Sequence, residues 1–385
     1  MSEPAVKAPF LQRVGLQYFH RRSQRVKKVE AIDAVHFLNA DERKALKRVE
    51  YGAISRAALA GAVSATIAAA AELIATPMVP EGSAAFGSGN VKFWLIVGGT
   101  TLVASVLEIA FVYWDTLNSV HELARVAGLE LFGKDRAEND RMLAEALARA
   151  ALELPNPVQS RGINAHRESS KLRMLAASFA YKAKIGVTNF LIKMVIRRIL
   201  GRVLVRSALA AVLPFVSVPV TAAWNGVVSW LTLREARVRA MGPSAVSELL
   251  DVVLSDAAAM SPPGKLAAVR AVAAAIVRTQ DLHPNLMSLL DQVNTRMGDV
   301  GAAELDDVGL FLESLKALPA HEARLAVQLV AIACIVDGRL TTREKSLAQD
   351  ALAACGRSVD LTAFEHLRTQ FVAGNGFVDD AIRGL

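Results

Sequence analysis

The sequence predicts an all-α membrane protein, and three observations carry that expectation. Apolar side chains make up 53% of the 385 residues and charged ones 21%, with a mean hydropathy of +0.32, on the apolar side for a chain that folds in water. Two stretches of membrane-crossing length lie in the first third. Elsewhere the apolar residues recur at helical spacing between capping signals. The two cysteines, Cys334 and Cys355, give neither a disulfide framework nor a CxxC metal frame, which suits a reducing, cytosol-facing environment.

The N-terminal stretch has no apolar core of signal-peptide length, because Arg13, Arg21, Arg22, Arg25, Lys27 and Lys28 interrupt it. Phe10, Leu11, Val14, Leu16, Tyr18 and Phe19 share its first turns, so two readings stand: an amphipathic helix on an anionic membrane, or a solvated basic tail. A clear helix start follows, with Asn39 as the cap and Glu42 at the third helical position. From Ala57 to Pro80 the chain carries a single charge, Glu72, over 24 residues. Ten of the nineteen residues from Ala57 to Ala75 are alanine, which drives insertion less than leucine does.

Phe93 to Trp114 supplies a stronger span of 22 residues, with Glu108 as its only charge and with Trp94, Tyr113 and Trp114 at its ends. The Pro-, Gly- and Ser-rich segment Pro77 to Asn90 reverses the chain between the two, which makes a transmembrane hairpin. Residues 1–56 hold 12 Lys or Arg and the connection through Lys92 holds one, so the positive-inside rule predicts that both flanks are cytoplasmic. Glu72 and Glu108 are the intramembrane carboxylates. Counted from the connection they differ in depth by roughly 12 Å, too far to form one site.

Beyond Asp115 the pattern is that of a cytosolic helix, with Arg141, Glu145, Arg149 and Glu153 on one face and Leu143, Leu147, Ala150 and Leu154 on the other, ended by Pro155 and Pro157. Residues 161–239 then hold 14 basic and two acidic side chains. Within them Lys182, Lys184, Lys193, Arg197, Arg198, Arg202 and Arg206 alternate with an apolar face, and these are the candidate lipid-binding residues. A basic helix could also grip phosphates of nucleic acid. Ser207 to Leu233, uncharged over 27 residues with Trp224 and Trp230, favours an anionic lipid surface instead, and no nucleic-acid partner is expected. Pro214 and Pro219 predict that this run is a broken or re-entrant segment. The basic helix, the turn Leu213-Pro214-Phe215-Val216 and a helix beginning near Thr221 with Trp224 and Asn225 resemble the EcsC family of membrane-associated bacterial proteins. That resemblance implies a membrane-surface role, with Ser217 and Pro219 in place of the expected glycine-rich turn.

After Met241-Gly242-Pro243 the balance reverses to 12 basic and 18 acidic residues, which predicts a separate helical domain over 243–385. Val327 to Cys355 reads as helix, turn and helix, with Gly338 closing the first and Thr341 and Glu344 forming a capping box for the second. Ala267 to Val293 repeats that pattern about 58 residues upstream. Asp337, Gly338 and Glu344 resemble the TerB-like domain associated with tellurite resistance and envelope stress, and the resemblance implies metal sensing at the acidic positions. Here Arg278 and Leu286 stand at those positions in the first copy, and two carboxylates are few for a hard cation, so structural capping competes with a metal site at Asp337 and Glu344.

No HExxH, GxxxxGK[ST], GxSxG or dinucleotide fingerprint occurs, so neither an enzyme nor a cofactor is expected. The expected organisation is basic cytosolic helices over 1–56, a transmembrane hairpin over 57–114, a cytosolic helix over 115–157, a basic membrane-apposed region over 158–242 and an acidic TerB-like bundle over 243–385. The corresponding expectation for function is a bacterial inner-membrane assembly or stress-signalling protein with both termini cytoplasmic. Its partners would be anionic lipid and a protein or second copy. A transporter or pore, and a soluble nucleic-acid-binding protein, are the alternatives.

Overall fold

The computed structural model describes residues 10–24, 35–78, 91–129, 137–157, 159–168, 215, 217–255, 259–298, 300, 304–357 and 361–376. Among the described residues there are eleven α-helices: α1 (Phe10–Ser23), α2 (Ala40–Ala75), α3 (Val91–Val126), α4 (Ala137–Ala151), α5 (Ser217–Val253), α6 (Pro262–Thr279), α7 (Pro284–Met297), α8 (Val308–Ala317), α9 (Ala320–Val336), α10 (Thr342–Ala354) and α11 (Leu361–Ala373). A two-residue antiparallel pair, β1 (Gln159–Ser160) and β2 (Ile163–Asn164), is added between α4 and α5. The chain forms two compact units: Met1–Lys47, Val120–Ser170 and Arg234–Leu385 make the first, Arg48–Ser119 and Lys171–Leu233 the second.

The first unit is built on a duplication. Helices α6 and α9 start 58 residues apart, α7 and α10 again 58 apart, and α8 and α11 53 apart. Helix α6 packs on α9 at the centre, α7 and α8 pack on α6, and α10 and α11 pack on α9. The centre is rich in alanine: from Ala267 to Val277 every residue except Arg270 is buried, six of them alanines. Small side chains let two helices approach closely while each still buries its whole apolar stripe.

Local chemistry starts each of these helices. Ser261 caps α6 by accepting the Gly264 N–H, Asp307 caps α8 by accepting that of Leu310, and Thr341 and Glu344 form the reciprocal box of α10. The N-cap of α7 is His283, which stands 58 residues before Thr341, the N-cap of α10. Asn39 likewise accepts the N–H groups of Asp41 and Glu42 while Glu42 reaches back to the Asn39 N–H, so α2 begins where its sequence signal places it. On the first unit's flank the β-pair is held by ion pairs from Arg161 to Asp291 and from Arg167 to Asp306 and Asp307.

Two sequence expectations are corrected along α5. Pro219 lies in the first turn, where a missing N–H costs nothing, so the helix starts at Ser217 and not at Thr221 and does not break at Pro219. Helix α5 continues through Met241-Gly242-Pro243 to Val253, so the change of charge there occurs along one helix. Pro214 and Leu213 of the expected turn lie outside the described residues.

Residues 36–38 are tied to the same unit by side-chain and main-chain bonds. Leu38 donates its N–H to the Gly374 carbonyl, and Phe37 bridges to Asn375. The buried His36 ring faces Ser244 Oγ at 3.0 Å through Nδ1 and Glu248 at 2.8 Å through Nε2. Burial pushes the His36 imidazole below its ordinary value of 6.5, against the pull of Glu248. The folded state therefore prefers neutral His36, so its contribution is present above about pH 6.5 and is lost as the pH falls below it. The expected result is a lower urea midpoint at mildly acidic pH, with a His36→Gln variant losing part of that pH dependence; identical pH profiles for the two proteins would refute it.

Candidate functional site

In the second unit, the part of α2 from Arg48 and the part of α3 to Ser119 carry the two apolar stretches, and their apolar residues face outward. The helices Ala40–Met78 and Val91–Val126 are each long and apolar enough to cross a membrane. Only 33% of the most apolar window of the first and 11% of that of the second is buried. Leu59, Ile74, Leu95, Leu102 and Leu107 are each 65–69% exposed. Between Phe93 and Trp114 the buried positions of α3 are Phe93, Ala104 and Glu108, which share one face, so this part of the helix meets its neighbours along one line and leaves the rest of its surface open.

Polar contacts lie along the inner line of these helices. At one end Arg56 Nε donates to Asp115 at 2.7 Å and its Nη2 to Ser119 at 3.1 Å. Further in, Glu108 on α3 is 6% exposed and its Oε1 accepts the Asn225 Nδ2–H of α5 at 2.7 Å. The same amide nitrogen lies 3.3 Å from the Ala57 carbonyl of α2. Gly61 makes this meeting possible: a Cβ there would lie 2.6 Å from Asn225 Nδ2 and 2.9 Å from the Thr221 carbonyl. Ser64, three residues on along the same face of α2, is buried as well. Glu72 is not part of this arrangement, since at 1.5 Å per residue it lies about 16 Å beyond Gly61 along α2. Glu72 and Glu108 thus lie apart, and the partner of Glu108, Asn225, is 117 residues away in sequence.

The acidic turn of the first unit lies between α9 and α10. Asp337 ends α9 and its Oδ1 accepts the Arg339 N–H at 2.9 Å, while Glu344 Oε2 accepts the Thr341 N–H at 2.6 Å. Burial first, and for Asp337 the neighbouring Glu344 as well, pushes both carboxyls above the ordinary carboxylate range; the hydrogen bonds to Thr341 pull Glu344 back in part. Burial and the same two acids push the Cys334 thiol up, which keeps it an inert apolar filler. Among the described residues no group of three or more His, Cys, Asp or Glu side chains could hold a metal ion. Asp337 and Glu344 close and open helices, and both are buried with their capping hydrogen bonds made.

The buried ionic centre next to this turn was not read from the sequence. Glu235 accepts from Arg239 Nε at 2.9 Å, His283 Nε2 at 3.1 Å and Arg339 Nη2 at 3.0 Å. Its local signals were a Glu and an Arg four residues apart and a His just before a helix-starting proline. The candidate lipid-binding residues Lys182, Lys184, Lys193, Arg197, Arg198, Arg202 and Arg206 lie outside the described residues. Of the apolar residues of α1, Phe19 is buried, whereas Phe10, Leu11 and Val14 are exposed beside Arg13. No family model, no curated protein and no solved structure matches the chain.

Proposed function

We propose that this is a non-enzymatic membrane protein of the bacterial inner membrane that works in assembly or stress signalling. In this reading α2 and α3 cross the bilayer as a hairpin with both flanks in the cytoplasm. The basic stretch Lys182 to Arg206 binds anionic lipid, and the duplicated helices α6–α11 are a TerB-like module for a protein partner or a second copy. The observation that carries the reading is the outward apolar surface of α2 and α3. In water, side chains such as Leu95, Leu102 and Leu107 would each forgo about 1.5–3 kcal/mol of burial, and a bilayer supplies it. The 12 Lys and Arg before Ala57 support the cytoplasmic flanks.

Fractionation of cells with carbonate and high-salt washes tests this. The full chain is expected to stay with the membrane through both washes, and a chain lacking residues 57–114 to become soluble or salt-extractable. Release of the full chain by carbonate would overturn the reading and turn attention to soluble partners.

A further inference from the structure

The polar contact between α2, α3 and α5 has one feature that holding helices together does not explain. Glu108 has two carboxyl oxygens, and Asn225 serves one of them. The other, Oε2, is fully buried and has no hydrogen-bond partner among the described residues. The hydroxyl of Ser64, one turn beyond Gly61, is in the same condition. The guanidinium of Arg56 is engaged with Asp115 and Ser119.

Asn225 would suffice if the contact were only an interhelical hydrogen bond, and a glutamine at 108 would serve as well. A carboxyl group is more expensive in this position. An ionised oxygen without a partner in apolar surroundings costs far more than a neutral amide, unless positive charge sits on it. The one atom shown to be available to such a charge is the unpartnered carboxylate oxygen of Glu108, and the unpartnered hydroxyl of Ser64 lies one turn beyond the Gly61 that meets Asn225. Oxygen donors with one formal negative charge suit a single positive charge, and a divalent cation would want more carboxylates and six or more oxygens.

We infer that Glu108, held by Asn225, forms a binding site for one monovalent cation, a proton or an alkali-metal ion, on Glu108 Oε2. The inference rests on the membrane reading of α2 and α3. Asn225 has the positioning role, fixing the carboxyl through Oε1 so that Oε2 turns to the cation. Gly61 admits Asn225 to that place, and a larger residue there would displace it.

Labelling with a hydrophobic carbodiimide, which attacks the protonated form of carboxyl groups in apolar surroundings, tests the site. The probe is applied to the full chain in membranes already washed with carbonate, and modified residues are located by mass spectrometry at several pH values with and without sodium chloride. Label on Glu108, absent from Glu108→Gln, is expected. If a proton is the occupant, labelling falls about tenfold per pH unit above its midpoint and ignores sodium. If sodium is the occupant, added sodium at fixed pH suppresses the label, and choline chloride does not. Asn225→Ala should move the midpoint or the sodium requirement while the chain remains in the membrane. A carbonate-resistant chain with no label on Glu108 at any pH would overturn the site and leave the membrane reading intact. Extraction of the chain by carbonate would overturn both.

Discussion

Replacement of Glu235 by alanine is expected to destabilise the first unit by about 3–5 kcal/mol, because it leaves buried partners without their counter-charge. Arg239 is 5% exposed and has its remaining bond, from Nη1, to the Ala146 carbonyl at 2.9 Å. His283 is 1% exposed, with Nδ1 accepting the Asn285 N–H at 3.3 Å, so its Nε2 carries the proton that points at Glu235. Removing the carboxylate orphans both. Arg339, whose side chain is 54% exposed, can turn to water, and Arg339→Ala should cost no more than about 1 kcal/mol. Urea unfolding of the full chain in detergent, with hydrogen exchange of α6 peptides as the local readout, measures both. Equal losses for the two variants would sink the assignment of the energy to the buried pair.

The same centre makes the stability of the first unit depend on acid. Burial opposes the charge of Glu235, but the hydrogen bond from His283 and the neighbouring cations outweigh it and hold the carboxyl well below its ordinary 4.5. Its contribution is therefore complete above about pH 4.5 and is lost progressively as the pH falls from there toward the depressed folded value. Burial holds His283 below 6.5, so stability tied to the neutral ring is present above that pH and erodes below it. The wild-type protein should weaken across both windows, and Glu235→Ala should lack the lower one.

What could be read in the sequence follows from the range of the interactions involved. The start of α2 at Asn39, the box at Thr341 and Glu344 and the 58-residue repeat are set by neighbours within a few residues, so residue order reveals them. The two apolar stretches are equally legible because a span is a matter of length and composition. Glu235 with His283, and Glu108 with Asn225, pair across 48 and 117 residues, and nothing local marks the partner. Glu108 could be singled out as a charge in an apolar run; only the fold supplies Asn225 and Gly61. The passage of α5 through Gly242-Pro243 is hidden from residue order for the same reason. A proline inside a helix has a local cost, and the tertiary contact that accompanies this one comes from Asn285, 47 residues from Val238.

That contact gives the second large effect. Asn285 is fully buried on α7, and its Nδ2 donates to the Val238 carbonyl of α5 at 2.9 Å and to the Val336 carbonyl at the end of α9 at 2.6 Å. One side chain thus joins three helices through main-chain oxygens that water cannot reach. Asn285→Ala should cost about 2–4 kcal/mol, since two buried acceptors lose their donor. The amide fits because position 242 has no side chain: a Cβ there would lie 2.0 Å from the Asn285 Cγ. Gly242→Ala must therefore push the amide from its seat or drive α5 from α7, at a cost of about 2–4 kcal/mol. Because both changes act on one contact, their effects should not add. Once Asn285 has become alanine, the three atoms nearest the new Cβ at 242 are gone, and the double variant should be more stable than the sum of the single losses by about 1–3 kcal/mol. A double-variant cycle measured by urea unfolding decides this. Full additivity would mean that Gly242 matters for its own backbone and not as the seat of Asn285, and that α5 passes Pro243 without help from α7.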